Sequence, residues 1–254
     1  SRTSTTFTKS KDGMSYKVAL FGPSNWALGS INLHMKKYLG RAGYDVRNVD
    51  WGHLGKVQKA IDWCDVFIAE VHVFERIGQH LPERLKKKGM YVWHHLSEIP
   101  GFSLKDQPNG HFTTKIPVDK SLKNNFYAIT KDTKSSADDF YGIDVGLLPV
   151  GIDNEFWSKR KSHGPIKKIG CVMSPENKRT QYTSVKRYDM FSEIAEKAGF
   201  DYDYCFGKTI HTGSYIYDGF DVIVNTSTHE GLPTPLLECS AAKVPFISTK
   251  VGIV

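Results

Sequence analysis

Short apolar runs alternate with longer amphipathic stretches along most of the chain, the pattern of strands feeding helices in a parallel sheet. Residues 16–21 are the first such run, and Gly22 opens a turn that leads to Gly29. Ile31, Leu33, Met35 and Leu39 then predict a helix ending near residues 40–43. Strands are predicted at 44–49, 65–69 and 89–93, separated by helices at 57–63 and 73–88; Leu81 and Leu85 share one face of the second helix. Residues 101–123 show no periodicity and read as a long loop. A strand at 125–130, a helix at 131–141 and a strand at 145–150 follow. The second half repeats the alternation: strands at 166–173, 201–206, 221–225 and 244–249, with helices at 190–198 and 236–243. This order predicts an α/β fold built on doubly wound parallel sheets, whose ligands gather at the C-terminal strand ends. His94 and His95 stand at such an end, directly after strand 89–93.

The densest chemistry lies in one stretch, Asp221-Val-Ile-Val-Asn-Thr-Ser-Thr-His-Glu230-Gly-Leu-Pro-Thr-Pro-Leu-Leu-Glu238. It reads as a buried strand, a polar loop over 226–233 and a helix with Pro235 in its first turn, where a missing N–H costs nothing. A helix N-terminus presents free N–H donors and partial positive charge, which suits phosphate. Two carboxylates, Glu230 and Glu238, flank that mouth. Together they fit a ligand in which a sugar and a ribose flank a diphosphate.

This stretch, with Ala-Ala-Lys-Val-Pro-Phe-Ile-Ser-Thr after it, closely resembles the signature of retaining GT-B glycosyltransferases of the glycogen-synthase-like, family 4 type. Leu148-Pro-Val-Gly-Ile-Asp-Asn-Glu-Phe156 is similar to the segment in which that family crosses between its two domains. The resemblance implies two Rossmann-like domains facing across a cleft: 14–150 on the acceptor side and 151–254, shortened, on the nucleotide-sugar side. It implies a catalytic role for Glu230 near the sugar hydroxyls, and contact of His94 or His95 with the transferred sugar. Donor binding falls to Lys186, Arg179, Gly231, Leu232, Pro233 and Thr234, with Glu238 at the ribose and Gly22 in the loop facing the cleft. Retention of configuration, a UDP- or GDP-linked donor, and charge neutralisation by cations without a metal or other cofactor come from the same resemblance. The chain departs from the family in two ways. Ser174-Pro175 replaces the usual Gly-Arg, and relatives carry further elements between 206 and 221 and after 254. It reads either as a minimal member or as a fragment.

Composition changes this picture little. With 254 residues, 40% of them hydrophobic and 24% charged, the chain has the make-up of a globular protein. No apolar run reaches the roughly 18–20 residues of a membrane span. Residues 1–13 are polar and read as a tag or disordered tail ahead of Met14. Cys64, Cys171, Cys205 and Cys239 are scattered, without metal-ligand spacing, and point to reduced thiols in a cytoplasmic setting. The net charge of +7 is compatible with a nucleotide-sugar, a glycan or lipid acceptor, or peripheral contact with an anionic membrane. Dispersed cations disfavour nucleic acid as a partner. Alternatives to a working transferase are a nucleotide-binding protein without turnover and a sugar transferase acting on nucleic acid. Arg84-Leu-Lys-Lys-Lys88 is expected to be a solvated helix end.

Overall fold

Two separate all-parallel sheets form. The computed structural model describes residues 15–22, 27–50, 52, 54–71, 81–94, 99, 118, 120–157, 165–173, 186–206, 217–228 and 230–252. Within these, the first half runs β1 (Lys17–Phe21), α1 (Ala27–Arg41), β2 (Asp45–Val49), α2 (Leu54–Trp63), β3 (Val66–Glu70), α3 (Glu83–Lys86) and β4 (Gly89–Trp93). A 3₁₀ turn (Lys120–Asn125), β5 (Phe126–Ala128), α4 (Lys131–Tyr141) and β6 (Gly146–Leu147) complete it. After α5 (Asn154–Trp157) come β7 (Lys168–Met173), α6 (Tyr188–Ala198), β8 (Asp201–Phe206), β9 (Val222–Asn225), α7 (Thr234–Ala242) and β10 (Phe246–Ser248).

Among the described residues the first sheet has the order β2-β1-β3-β4-β5-β6 and the second β10-β9-β7-β8. In each, the first strand pairs with both the second and the third, so the strand order reverses between β1 and β3 and again between β7 and β9. Crevices open at the C-terminal strand ends of such reversals. The same local device sets both. Asp65 takes the Lys17 N–H on its carboxylate (2.9 Å) and donates its own N–H to Lys17 O (2.9 Å). Asp221 takes the N–H groups of Lys167 and Lys168 (2.8 and 2.9 Å) and donates to Lys168 O (2.8 Å). An Asp before the third strand of each sheet thus locks the register of the first.

Side chains alternate across each strand and bury both faces. Val18 and Leu20 pack with Met35 and Leu39 of α1, whereas Ala19, Phe21, Phe67, Tyr91 and Trp93 meet α2, α3 and α4. In the second sheet Ile169, Cys171, Val222 and Val224 pack on α6, while Ile223 packs on α7 and on Trp157 of α5.

The two halves are joined through one buried carboxylate. Asp153 accepts from Lys37 Nζ (2.7 Å), Tyr38 OH (2.8 Å) and His34 Nδ1 (3.1 Å), all on α1. It also accepts the N–H groups of Glu155 and Phe156 (3.1 and 3.2 Å) at the start of α5. A carboxylate only accepts, so Nδ1 of His34 carries the proton. Burial alone would raise the Asp153 carboxyl, but the bonds from Lys37, Tyr38 and Phe156 outweigh it and hold it well below the usual range. Phe156 and Trp157 then insert into the second half, with the Trp157 ring 5.8 Å from that of Tyr217.

Several boundaries differ from the sequence reading. Of the helix expected at 73–88, the described residues form Glu83–Lys86, with Pro82 just ahead of it, where a residue without an N–H donor is tolerated. Residues 72–80 lie outside the described set, as do 101–117 of the expected loop. The strand expected at 145–150 shrinks to Gly146–Leu147, since Pro149 has no N–H to extend the ladder. Lys88 is no solvated end: its Nζ caps the carbonyls of Ile61 and Cys64 at the close of α2 (3.4 and 2.7 Å).

Replacing Asp153 with Asn leaves the shape but removes the charge that three α1 side chains share. Urea denaturation is expected to show a loss of about 2 kcal/mol, the cost of weakening several buried bonds at once. An unchanged midpoint would mean that α1 and α5 are held by packing and by the pairs of Glu155 with Lys37 and Arg41 (2.9–3.0 Å) rather than by Asp153.

Candidate functional site

The loop after β9 gathers the polar groups of the second sheet. Glu230 is 7% exposed, accepts from Ser227 Oγ (2.7 Å) and forms an ion pair with Lys186 Nζ. Lys186 and Glu230 lie 44 residues apart in sequence, and the reversal between β7 and β9 brings their segments together. Thr226, itself buried, shares its one hydroxyl proton between the carbonyls of Lys186 (2.7 Å) and Arg187 (2.9 Å). Beneath the pair lies the thiol of Cys171, which burial pushes up to about 12, with Lys186 pulling it down and Glu230 adding to the rise.

The Gly231-Leu-Pro-Thr turn departs from the expectation of free donors at the start of α7. Pro233 adopts φ −72°, ψ 79°, the centre of an inverse γ-turn in which Thr234 N–H returns to Leu232 O (2.8 Å). Pro235 has no N–H, and Leu236 N–H is taken by Pro233 O (2.9 Å). The first turn of α7 is therefore spent. Among the described residues, no hydrogen bond uses the N–H of Gly231 or Leu232, so the available donors stand just ahead of the helix. Gly252 closes this turn from behind: its φ is +60°, and a Cβ there would come within 2.5 Å of Pro233 Cδ.

Glu238 faces another way. It accepts from the hydroxyl of the fully buried Tyr217. Burial pushes its carboxyl up to about 7, against the pull of that hydrogen bond. The two carboxylates of the motif thus sit in different surroundings, one paired with a cation and one close to half-protonated at neutral pH.

In the first sheet, a cavity of about 290 Å³ opens over the ends of β1, β3 and β4, between α1 and residues 148–153. Its lining is mostly apolar, from Phe21, Met35, Ile68, Val92 and Ile129, with Asn32, Glu70 and His94 as polar members. Glu70 and Asn32 are buried, and sequence reading missed both; only their place beside strand and helix ends could have marked them. Gly22 continues the edge of β1, with its N–H donated to Val49 O (3.2 Å), so that N–H does not serve a ligand. His95 and Arg179 lie outside the described residues. His34 is held between Asp153 (3.1 Å) and an edge contact with Phe156. Arg187 is paired with Asp189 at 2.9–3.1 Å rather than with any site group. Among the described residues no cluster of His, Cys, Asp and Glu is arranged to hold a metal, and no helix is long and apolar enough to cross a membrane.

Fold and site define the class: an α/β protein with two Rossmann-like parallel sheets, each with its polar residues at the C-terminal strand ends. No protein-family model matches the chain, and no curated protein matches it. Among solved structures it is similar to the apo form of the lipopolysaccharide outer core galactosyltransferase WaaB, at TM-score 0.41 and 13% identity. That alignment covers 94% of this chain and 82% of the other. It is also similar to the ABC domain in complex with L-Trp from Streptococcus pneumonia, at TM-score 0.26 and 18% identity, over 92% of this chain and 73% of that one. Likenesses this distant say nothing about activity.

Two predictions follow from the local geometry. Gly252→Ala forces a left-handed residue against Pro233 and is expected to cost about 1–2 kcal/mol, read by thermal unfolding. Wild-type stability would leave the 231–233 turn without its rear support. The second concerns Glu238, whose folded carboxyl lies above its ordinary value of 4.5. Between about pH 4.5 and 7 the folded chain holds a proton that the unfolded chain has released, so this group's contribution falls as pH rises. Glu238→Gln removes that loss, and its melting temperature relative to wild type is expected to climb from acid to neutral pH. A flat difference would place Glu238 in water.

Proposed function

We propose that the chain is a GT-B-like glycosyltransferase that binds a nucleoside-diphosphate sugar, UDP- or GDP-linked, at the second sheet. Residues 14–150 form its acceptor-side domain and 151–254 its donor-side domain. The observation that carries the reading is the Lys186–Glu230 pair beside the N–H groups of Gly231 and Leu232. One cation and two backbone donors suit a diphosphate, and a buried carboxylate beside them suits sugar hydroxyls. The residues that form this arrangement are those on which the sequence resemblance rests.

In this mechanism the diphosphate takes Lys186 from Glu230, which is then released to the sugar hydroxyls. Lys186 and the two N–H groups stabilise charge as it builds on the departing diphosphate, so catalysis needs no metal or other cofactor. The diphosphate leaves and the acceptor attacks on the same face of the sugar, with a diphosphate oxygen taking the acceptor's proton and configuration retained. His94, on the acceptor side, contacts the transferred sugar, and His95 is the alternative. Glu238 serves the ribose. The acceptor, a glycan or a lipid, reaches the sugar from the cavity of the first sheet, and the setting is cytoplasmic or at a membrane surface.

A thermal-shift screen against UDP, GDP, ADP, CMP and their sugar conjugates tests this. A ligand at about 100 times its dissociation constant adds roughly 2.7 kcal/mol to the folded state. One nucleoside diphosphate is expected to raise the melting temperature of wild type, and much less that of Lys186→Ala. Glu230→Gln is expected to keep the shift while transfer drops about a hundredfold or more. A shift in wild type without any turnover would favour nucleotide binding alone, and no shift with any nucleotide would sink the reading.

A further inference from the structure

We infer that Thr226 is a positioning residue, one whose hydroxyl sets the backbone turn that aims Lys186 at the site. Among the described residues only Arg187 and Lys243 combine a side chain beyond Cβ with positive φ. Lys243 closes α7, where a left-handed residue is ordinary. Arg187 opens α6 at φ 49°, ψ 54°, a position that normally holds extended backbone. Helix capping does not account for it, since its side chain makes no cap bond.

The loop after β9 supplies the account. Lys186 is itself helical and Tyr188 opens α6; at the kink between them the carbonyls of Lys186 and Arg187 both lie within reach of the single Thr226 hydroxyl proton, at 2.7 and 2.9 Å. Thr226 is 3% exposed. The Arg187 carbonyl also accepts the Phe191 N–H (3.2 Å), so among the described residues it is the Lys186 carbonyl that relies on this hydroxyl. Four residues later the same loop presents Glu230, which takes the Lys186 ammonium. A single loop therefore grips Lys186 twice, by its backbone and by its side chain. Because the kink separates Lys186 from the start of α6, relaxing it to an extended residue would re-aim the lysine while leaving the helix in place.

That Lys186 meets a diphosphate rests on the function proposed above; the clamp itself does not. Two assays separate them. The ¹⁵N resonance of Lys186 Nζ in the ligand-free protein reports the pair with Glu230, and calorimetric titration with UDP and GDP reports the ligand. Thr226→Ser keeps the hydroxyl and is expected to match wild type in both. Thr226→Val is expected to move the Nζ resonance to the position of an unpaired lysine and to weaken the nucleotide about tenfold, or about 1.4 kcal/mol. Arg187→Gly, which takes a positive φ freely, is expected to behave as wild type. Arg187→Pro, which cannot take φ 49°, is expected to behave as Thr226→Val, and it alters a half-exposed position should the valine variant fail to fold. An unmoved Nζ resonance in Thr226→Val or Arg187→Pro overturns the inference, as does loss in Thr226→Ser. If wild type binds neither nucleotide, the diphosphate reading fails while the resonance still decides the clamp.

Discussion

A carboxylate kept from water must be compensated, and Glu230 is such a group. An isolated buried charge costs several kcal/mol, so the segment around it is arranged to deliver a cation and a hydroxyl. Ser227 comes from the same loop, three residues away. Lys186 comes from across the reversal between β7 and β9 and arrives through a strained backbone turn that Thr226 holds. Gly252 braces the continuation of the loop. Each of these features has the buried carboxylate as its common reason, and a ligand that replaced it at Lys186 would inherit the same surroundings.

Asp153 presents the same constraint with a different outcome. It too is a buried carboxylate, yet its partners are spread over one side chain each from Lys37, Tyr38 and His34 and two backbone N–H groups. All its lone pairs are engaged, and no single partner can leave without exposing the rest. Glu230 is paired with Lys186 across the reversal and accepts from the Ser227 hydroxyl of its own loop. Asp153 ties α1 to the start of α5, whereas Glu230 ties the loop after β9 to Lys186.

Periodicity made the elements legible wherever they were long or bounded by clear breaks. Strand 89–93, helix 131–141 and strand 201–206 form over the same residues that the apolar pattern marked. Helix 131–141 is closed by Thr130 and by Gly142 at φ 64°, both visible as cap residues. The i,i+4 spacing of Leu81 and Leu85 predicts one helix across Pro82; both leucines are buried, but among the described residues the helix begins only at Glu83. In the candidate site, Lys186 and Glu230 could be named from the motif. Their contact could not, because it depends on strand order, which pattern alone does not give. The inverse γ-turn at Pro233 was hidden for a related reason: two prolines signal where a helix starts, not where the preceding N–H groups point.

The consequence of that turn reaches the question of which group does what. Since Thr234 N–H and Leu236 N–H are consumed internally, the dipole of α7 cannot act through its own first-turn donors. The ammonium of Lys186 and the N–H groups of 231 and 232 lie instead at the loop that carries Glu230. Glu238, a turn inside α7, is directed to Tyr217 and pushed towards neutrality. A group near half-protonation at neutral pH both donates to and accepts from hydroxyls, whereas a paired carboxylate like Glu230 only accepts. The two acids of one short motif are thereby made chemically unlike by what surrounds them.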